Sequence, residues 1–378
     1  MFGNLAHTQL QELWWIVVSL VGSLFVFMTF VQGGQSLLGT IAKTDRQKSL
    51  VINSLGRKWE LTYTTLVLFG GAFFAAFPKF YATSFGGAYW VWIAILFTFS
   101  LQAVSYEFRK KDGNLLGARV YETFLFINGA IGILLVGAAV GTFFTGSHFQ
   151  VNAFNLSSWK HPLRGLEAAL VPFNLAMGLL LVFLSRALGA MYLVNNIRHA
   201  KIEEKARSAA FRNFLYLVPF LLYILYSLLT MQGFALDPAT GTISLEKGKY
   251  FVNLMAMPIV MLLLITGILL IAGAAVITGY TSKRLGIWLA GPGTVFTCLS
   301  IFFLAGFNNT AFYPSIFDLQ SSLTIYNASS SHYTLTAMSY IALAVPFVLA
   351  YIAWVWKLMD AKKLDASEFD GETANDLY

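Results

Sequence analysis

One pattern repeats from end to end of this chain: an apolar run long enough to cross a bilayer, then a short polar connection. A hydrocarbon core of about 30 Å needs roughly 20 helical residues. Such runs occupy residues 14–31, 61–83, 87–106, 122–144, 168–194, 209–231, 251–279, 286–306 and 335–357. A backbone in hydrocarbon must satisfy its hydrogen bonds internally, so the choice of fold is narrow. The expectation is an all-α integral membrane protein with nine transmembrane helices in a single polytopic domain, 1–364. Composition agrees, because only 11% of the residues are charged, against about 25% in soluble domains.

The connections alternate in basic content. One set (32–60, 107–121, 195–208, 280–285 and the C-terminal end) carries Lys43, Arg46, Lys48, Arg57 and Lys58 and most of the other Lys and Arg. The other set carries only Lys79, Lys160, Arg164, Lys247 and Lys249, while Arg186 and Arg212 fall within apolar runs. The positive-inside rule therefore places the N-terminus outside and the C-terminus in the cytoplasm. The formal charge of +7 is scattered over short loops, so it is no nucleic-acid signal and carries topology instead; membrane lipids are the expected surroundings of such a chain. The first Lys or Arg is Lys43, so no cleaved leader is expected. After Lys363 the chain turns acidic, and 365–378 is read as a solvated cytoplasmic tail.

Five prolines, Pro172, Pro219, Pro258, Pro292 and Pro346, are expected inside helices as kinks. Gly137 and Gly141 form a GxxxG and Gly70–Gly71 sit mid-helix, all read as packing contacts. Cofactor chemistry is hard to place. His7, His148, His161, His199 and His332 all fall in termini or loops, where none could ligate a haem buried in the membrane. No Cys/His spacing suggests a metal, and no P-loop or GxGxxG occurs.

Carboxylates at membrane depth remain, and each is a functional candidate because its burial is expensive. Glu60 opens the second segment, with Tyr63 and Thr64 at i+3 and i+4 on the same helical face. Together they suit a protonatable path; the competing reading is an acid at a helix N-terminus, favoured by the dipole and paired with Arg57 or Lys58. Glu107 ends the third segment beside Arg109 and Lys110, and Glu122 begins the fourth after Arg119, which fits a charge network at the inner interface. Arg186 lies about two turns inside the fifth segment, where it must snorkel, pair or face a headgroup.

Several stretches resemble subunit II of cytochrome bd-type quinol oxidases. They are Ile52-Asn53-Ser54, Trp59-Glu60, the run Gly70 to Pro78, Tyr81-Ala82, Glu107-Phe108-Arg109, Tyr313-Pro314-Ser315, Ser322-Leu323-Thr324 and Asn327-Ala328-Ser329-Ser330. The resemblance covers nearly the whole chain, with departures that suggest a divergent branch. Gln32 stands where the family often has an acid, Gln102 where it usually has an arginine, and Glu60 where it has an aspartate.

The resemblance implies two four-helix bundles plus a peripheral ninth helix, in a bacterial cytoplasmic membrane. It implies a haem-bearing partner, subunit I, and a complex that oxidises quinol and reduces dioxygen to water. This chain would ligate no haem itself; a structural quinone and small accessory subunits are further candidates. Glu60, Tyr63, Thr64, Glu107 and Glu122 would serve a cytoplasmic proton path, with Trp59, Gln32 and Arg109 supporting the partner, a quinone or the path's entrance. A proton-coupled secondary transporter and a purely structural assembly subunit stay open from the residues alone.

Overall fold

The computed structural model describes residues 2–111 and 113–365, so the expected acidic tail lies, after Asp365, outside the described residues. Among the described residues nine long helical runs follow in order: α1 (His7–Ser36), α2 (Asp45–Ala76), α3 (Tyr89–Phe108), α4 (Ala118–Thr145), α5 (Pro172–Asn196), α6 (Ala200–Thr230), α7 (Pro258–Tyr280), α8 (Gly286–Gly306) and α9 (His332–Met359). Among the described residues, eight of these are long and apolar enough to cross a membrane. The exception is α2. Its first half is polar, and Thr62, Tyr63, Thr64, Thr65, Gly70 and Gly71 dilute the apolar remainder.

Helices outrun their apolar segments because polar ends can stay helical in water. Helix α2 starts at Asp45, where the Thr44 side chain caps it by accepting from the Gln47 N–H. Glu60 therefore sits midway along a 32-residue helix, and the reading of it as a helix-terminal acid is corrected. Glu122 likewise lies a turn inside α4, which starts at Ala118.

The prolines also need correcting. Pro219 and Pro292 are interior. Pro172 and Pro258 instead occupy the first turn of the helical segments Pro172–Asn196 and Pro258–Tyr280, whereas Pro346 stays interior to α9, just past the turn at 343–344 that divides it into His332–Ala342 and Val345–Met359. A missing N–H is harmless in a first turn, and the residue before proline resists helical geometry, so the chain breaks ahead of it.

Three short antiparallel hairpins add to the helices: β1 (Phe149–Val151) with β2 (Ser157–Trp159), β3 (Gln232–Leu236) with β4 (Ile243–Lys247), and β5 (Ala311–Tyr313) with β6 (Leu323–Thr324). They stand in the three long connections poor in Lys and Arg, and they join into one cap. Ser147 bridges to Ser315 and Ala235 to Thr310. Gln320 both accepts from the Ile243 N–H and donates to the Ile243 carbonyl. The basic connections meet one another through ion pairs such as Lys48–Glu122, Glu203–Arg284 and Lys58–Asp360. Each set thus gathers separately, as its charge pattern requires.

Helix α5 is the spine, touching α1, α4 and α6 along its length. Its approach to α1 needs glycine: a Cβ on Gly33 would lie 1.8 Å from the Ser185 carbonyl oxygen. The GxxxG reading holds, since Gly137 and Gly141 press against Gly178 and Asn174 of α5. Gly71 is different. No described residue stands within 4 Å of a Cβ placed there, so the packing contact expected at Gly71 is not made by any described residue. Helix α9 lies over α1 and α2 and buries little of itself. Trp14 holds it at one end by donating to Leu335 O and Ser339 Oγ.

Candidate functional site

Among the polar groupings that interrupt the apolar interior of the described residues, three bear on the candidate residues. The deepest joins α1, α3 and α4. Gln32, Gln102 and Asn128 are fully buried, and Gln35 nearly so. Gln32 Nε2 donates to Gln102 Oε1 (3.2 Å), and Gln102 Nε2 donates to Gln35 Oε1 (3.0 Å). Tyr106 OH donates to the same Gln35 oxygen, while Gln35 Nε2 donates to Leu125 O and Asn128 Oδ1. Amides suit this depth because they both donate and accept without carrying charge. The helices reach each other through a π-turn in α4, Asn128–Gly132, whose Gly129 and Gly132 lie against Gln32 O and Thr98.

Two of the three departures from the family pattern are thus each other's partner: Gln32 bonds directly to Gln102. Two buried atoms beside this network stay unpaired among the described residues, Gln32 Oε1 and Trp59 Nε1. The Trp59 ring stacks on Tyr106, centroids 5.9 Å apart.

The second grouping is the mouth of a cleft of about 370 Å³, lined by Gln35, Ser36, Lys48, Arg119, Glu122 and Thr123 among others. Glu122 accepts from Lys48 Nζ (2.7 Å) and from Arg109 Nη2 (2.9 Å) and Nε (3.3 Å). Arg109 is buried and reaches Ser49 Oγ as well. Gln35 links this mouth to the amide network. Glu107 is not part of it: half-exposed, it pairs with Lys111 at 3.7 Å.

A third grouping clasps the C-terminal end. The Lys58 ammonium is completely buried and meets Asp360 Oδ1 at 3.1 Å. Asp360 also accepts from Asn196 Nδ2 (3.0 Å) and Trp356 Nε1 (2.8 Å), and Ser54 Oγ donates to Asn196 Oδ1.

Glu60, Tyr63 and Thr64 share one face of α2, as their spacing requires, and all three are exposed. That face continues through Val67, Leu68, Gly71 and Phe74 and borders the exposed Ile93, Phe97 and Val104 of α3. No described residue forms an ion pair or hydrogen bond with Glu60. The proposed path residues are therefore split: Glu122 at the cleft, Glu107 on the surface, and Glu60 with its hydroxyls facing outward. The search for ionisable groups missed Gln35, Asn128, Lys58 and Asp360. Amides recurring in otherwise apolar helices were the available signal for the first two.

Among the described residues, no group of three or more His, Cys, Asp or Glu could hold a metal ion. A multi-pass helical membrane subunit is the class these features define. Residues 10–359 match the family described as cytochrome bd terminal oxidase subunit II, and the chain belongs to that family. It is 27% identical over 364 residues to the cytochrome bd-I ubiquinol oxidase subunit 2 of Escherichia coli K12, covering 92% of this chain and 94% of that one. It is likewise 27% identical to the probable cytochrome oxidase subunit 2 of Haemophilus influenzae, covering 98% of both. The same fold appears in the bd oxidase from Geobacillus thermodenitrificans, with a TM-score of 0.62 at 10% identity over 93% of this chain and 97% of that chain.

Proposed function

We propose that this chain is the non-haem subunit of a quinol:oxygen oxidoreductase in a bacterial cytoplasmic membrane. It spans the bilayer nine times as one domain (1–364), N-terminus outside, as two four-helix groups with α9 peripheral. A haem-bearing subunit I covers the α2–α3 face and performs quinol oxidation and dioxygen reduction, while this chain offers a cytoplasmic proton route at Glu60. The observation that carries the reading is Glu60 itself, a carboxylate midway along α2, exposed, and without a partner among the described residues. Such a group facing lipid is costly, so a polar or protonated environment must come from outside the chain. Tyr63 and Thr64 on the same face extend the hydroxyl-lined surface, and Gly71 leaves room for an approaching helix.

The test is Glu60→Gln in the intact complex. Oxygen-coupled proton uptake should slow by about 10-fold or more, as loss of one proton-transfer group commonly does, with haem content unchanged. Unchanged turnover and uptake would leave Glu60 a passive element of an assembly subunit. Haem-free substrate uptake by this chain alone would favour a proton-coupled transporter.

A further inference from the structure

A second ionisable group lies at membrane depth without a partner, on the other half of the molecule. Arg186 belongs to α5, and its Nε is buried with no hydrogen-bond partner. Among the described residues no salt bridge or hydrogen bond reaches its guanidinium. Tyr216 of α6 is its titratable neighbour, and no described carboxylate pairs with it. A guanidinium carries five N–H donors in a planar fork, which match a carboxylate or phosphate two at a time. Left empty in hydrocarbon, such a fork is far too costly to retain.

Arg212 stands at the same level. Helices α5 and α6 run antiparallel, and the Phe183 ring meets Tyr216 with centroids 5.6 Å apart. One turn along α5 from Phe183 is Arg186. One turn back along α6 from Tyr216 is Arg212, so the two arginines stand at the same level along the bundle. They lie about 15 and 18 Å from the α5–α6 turn at 1.5 Å per residue. Charged residues of α6 continue from Lys201 to Arg207, and the apolar stripe starts just beyond Arg212 with exposed Leu215, Tyr216 and Leu222. That places the pair where hydrocarbon gives way to headgroups.

We propose that Arg186, Arg212 and the Tyr216 hydroxyl bind the phosphate of an anionic phospholipid, whose acyl chain lies along the exposed apolar stripe of α6. Two cations without a local carboxylate leave net positive charge, which selects a phosphatidylglycerol-type headgroup over a zwitterionic one. Arg186 provides the planar fork, and Arg212 adds charge from the exposed side.

The test uses the purified complex, delipidated in detergent and supplied with vesicles of either phosphatidylglycerol or phosphatidylcholine. Retained phospholipid is counted by native mass spectrometry. The wild-type complex should keep phosphatidylglycerol in preference to phosphatidylcholine, and inorganic phosphate should not displace it. Arg186→Gln and Arg212→Gln should each weaken retention by roughly 5-fold or more; Arg186→Lys, which keeps charge without the fork, should fall between. Arg212 is exposed, so its variant guards against a folding defect at Arg186. Equal retention of the two lipids, or unchanged retention in both glutamine variants, overturns the proposal. Displacement by inorganic phosphate means a free-anion site and overturns the lipid assignment. Loss of the partner subunit from Arg186→Gln, with lipid unchanged, means the fork is filled by protein.

Discussion

Lys58 and Glu60 are two residues apart on one helix and have opposite fates. A step of two positions turns a helix by roughly 200°, so the ammonium points inward and the carboxylate outward. Lys58 is sealed off and meets Asp360, which is itself held by Asn196 and Trp356. Glu60 is exposed and meets no described residue. The protein completes its own charges where it closes on itself and leaves Glu60, on its outward face, unmet among the described residues. Arg186 extends the rule to the opposite half, while the deep interior between them uses neutral amides.

The comparison breaks most readily at the clasp. Asp360→Ala would strand the Lys58 ammonium in the interior, and stability should fall by about 3–5 kcal/mol, read as a lower unfolding midpoint of the purified protein. Replacing both partners, Lys58→Met with Asp360→Leu, should recover most of that loss, because the pair's own net contribution is small. A single variant that unfolds with the wild type would show that the clasp is not closed.

The amide pair should respond nearly as strongly. Gln32→Asp places a carboxylate beside Gln102 Oε1, with no cation among its hydrogen-bond partners. The expected cost is about 3 kcal/mol, set by an unpaired buried charge. Adding Gln102→Arg supplies the missing cation and should restore most of the stability, a coupling readable in a double-mutant cycle. Additive losses would mean that the two positions do not act as a unit.

These clusters show what the sequence could and could not reveal. The apolar runs were legible because length and hydropathy are local, and the sorting of connections into two sets followed from charge. Helix ends were not: the polar first half of α2 is invisible to an apolar scan, so Glu60 looks terminal when it is central. The Lys58–Asp360 pair joins residues 302 positions apart, and no local pattern announces it. Gln32 and Gln102 each stood out as a departure from the family, but only three dimensions bring them into contact. Proline position within a helix was similarly ambiguous, since a first-turn proline and an interior one read alike in an apolar run.

The smallest expected effect on the chain itself is the most telling for the outward face. Gly71 lies on the same side of α2 as Glu60, with open space around it. A glycine mid-helix costs about 1 kcal/mol relative to a good helix former, so Gly71→Leu should leave this chain as stable as before or slightly more so. If the face is bare to lipid, nothing else changes. If a partner helix packs there, the added side chain collides with it, and the yield of complex carrying haem should fall while the free chain still folds. Glu60→Gln supplies the matching control, because exposed substitutions usually shift stability by no more than about 0.5 kcal/mol. A Gly71→Leu complex that assembles and turns over normally would remove the partner from this face and, with it, the reason Glu60 is left unpaired.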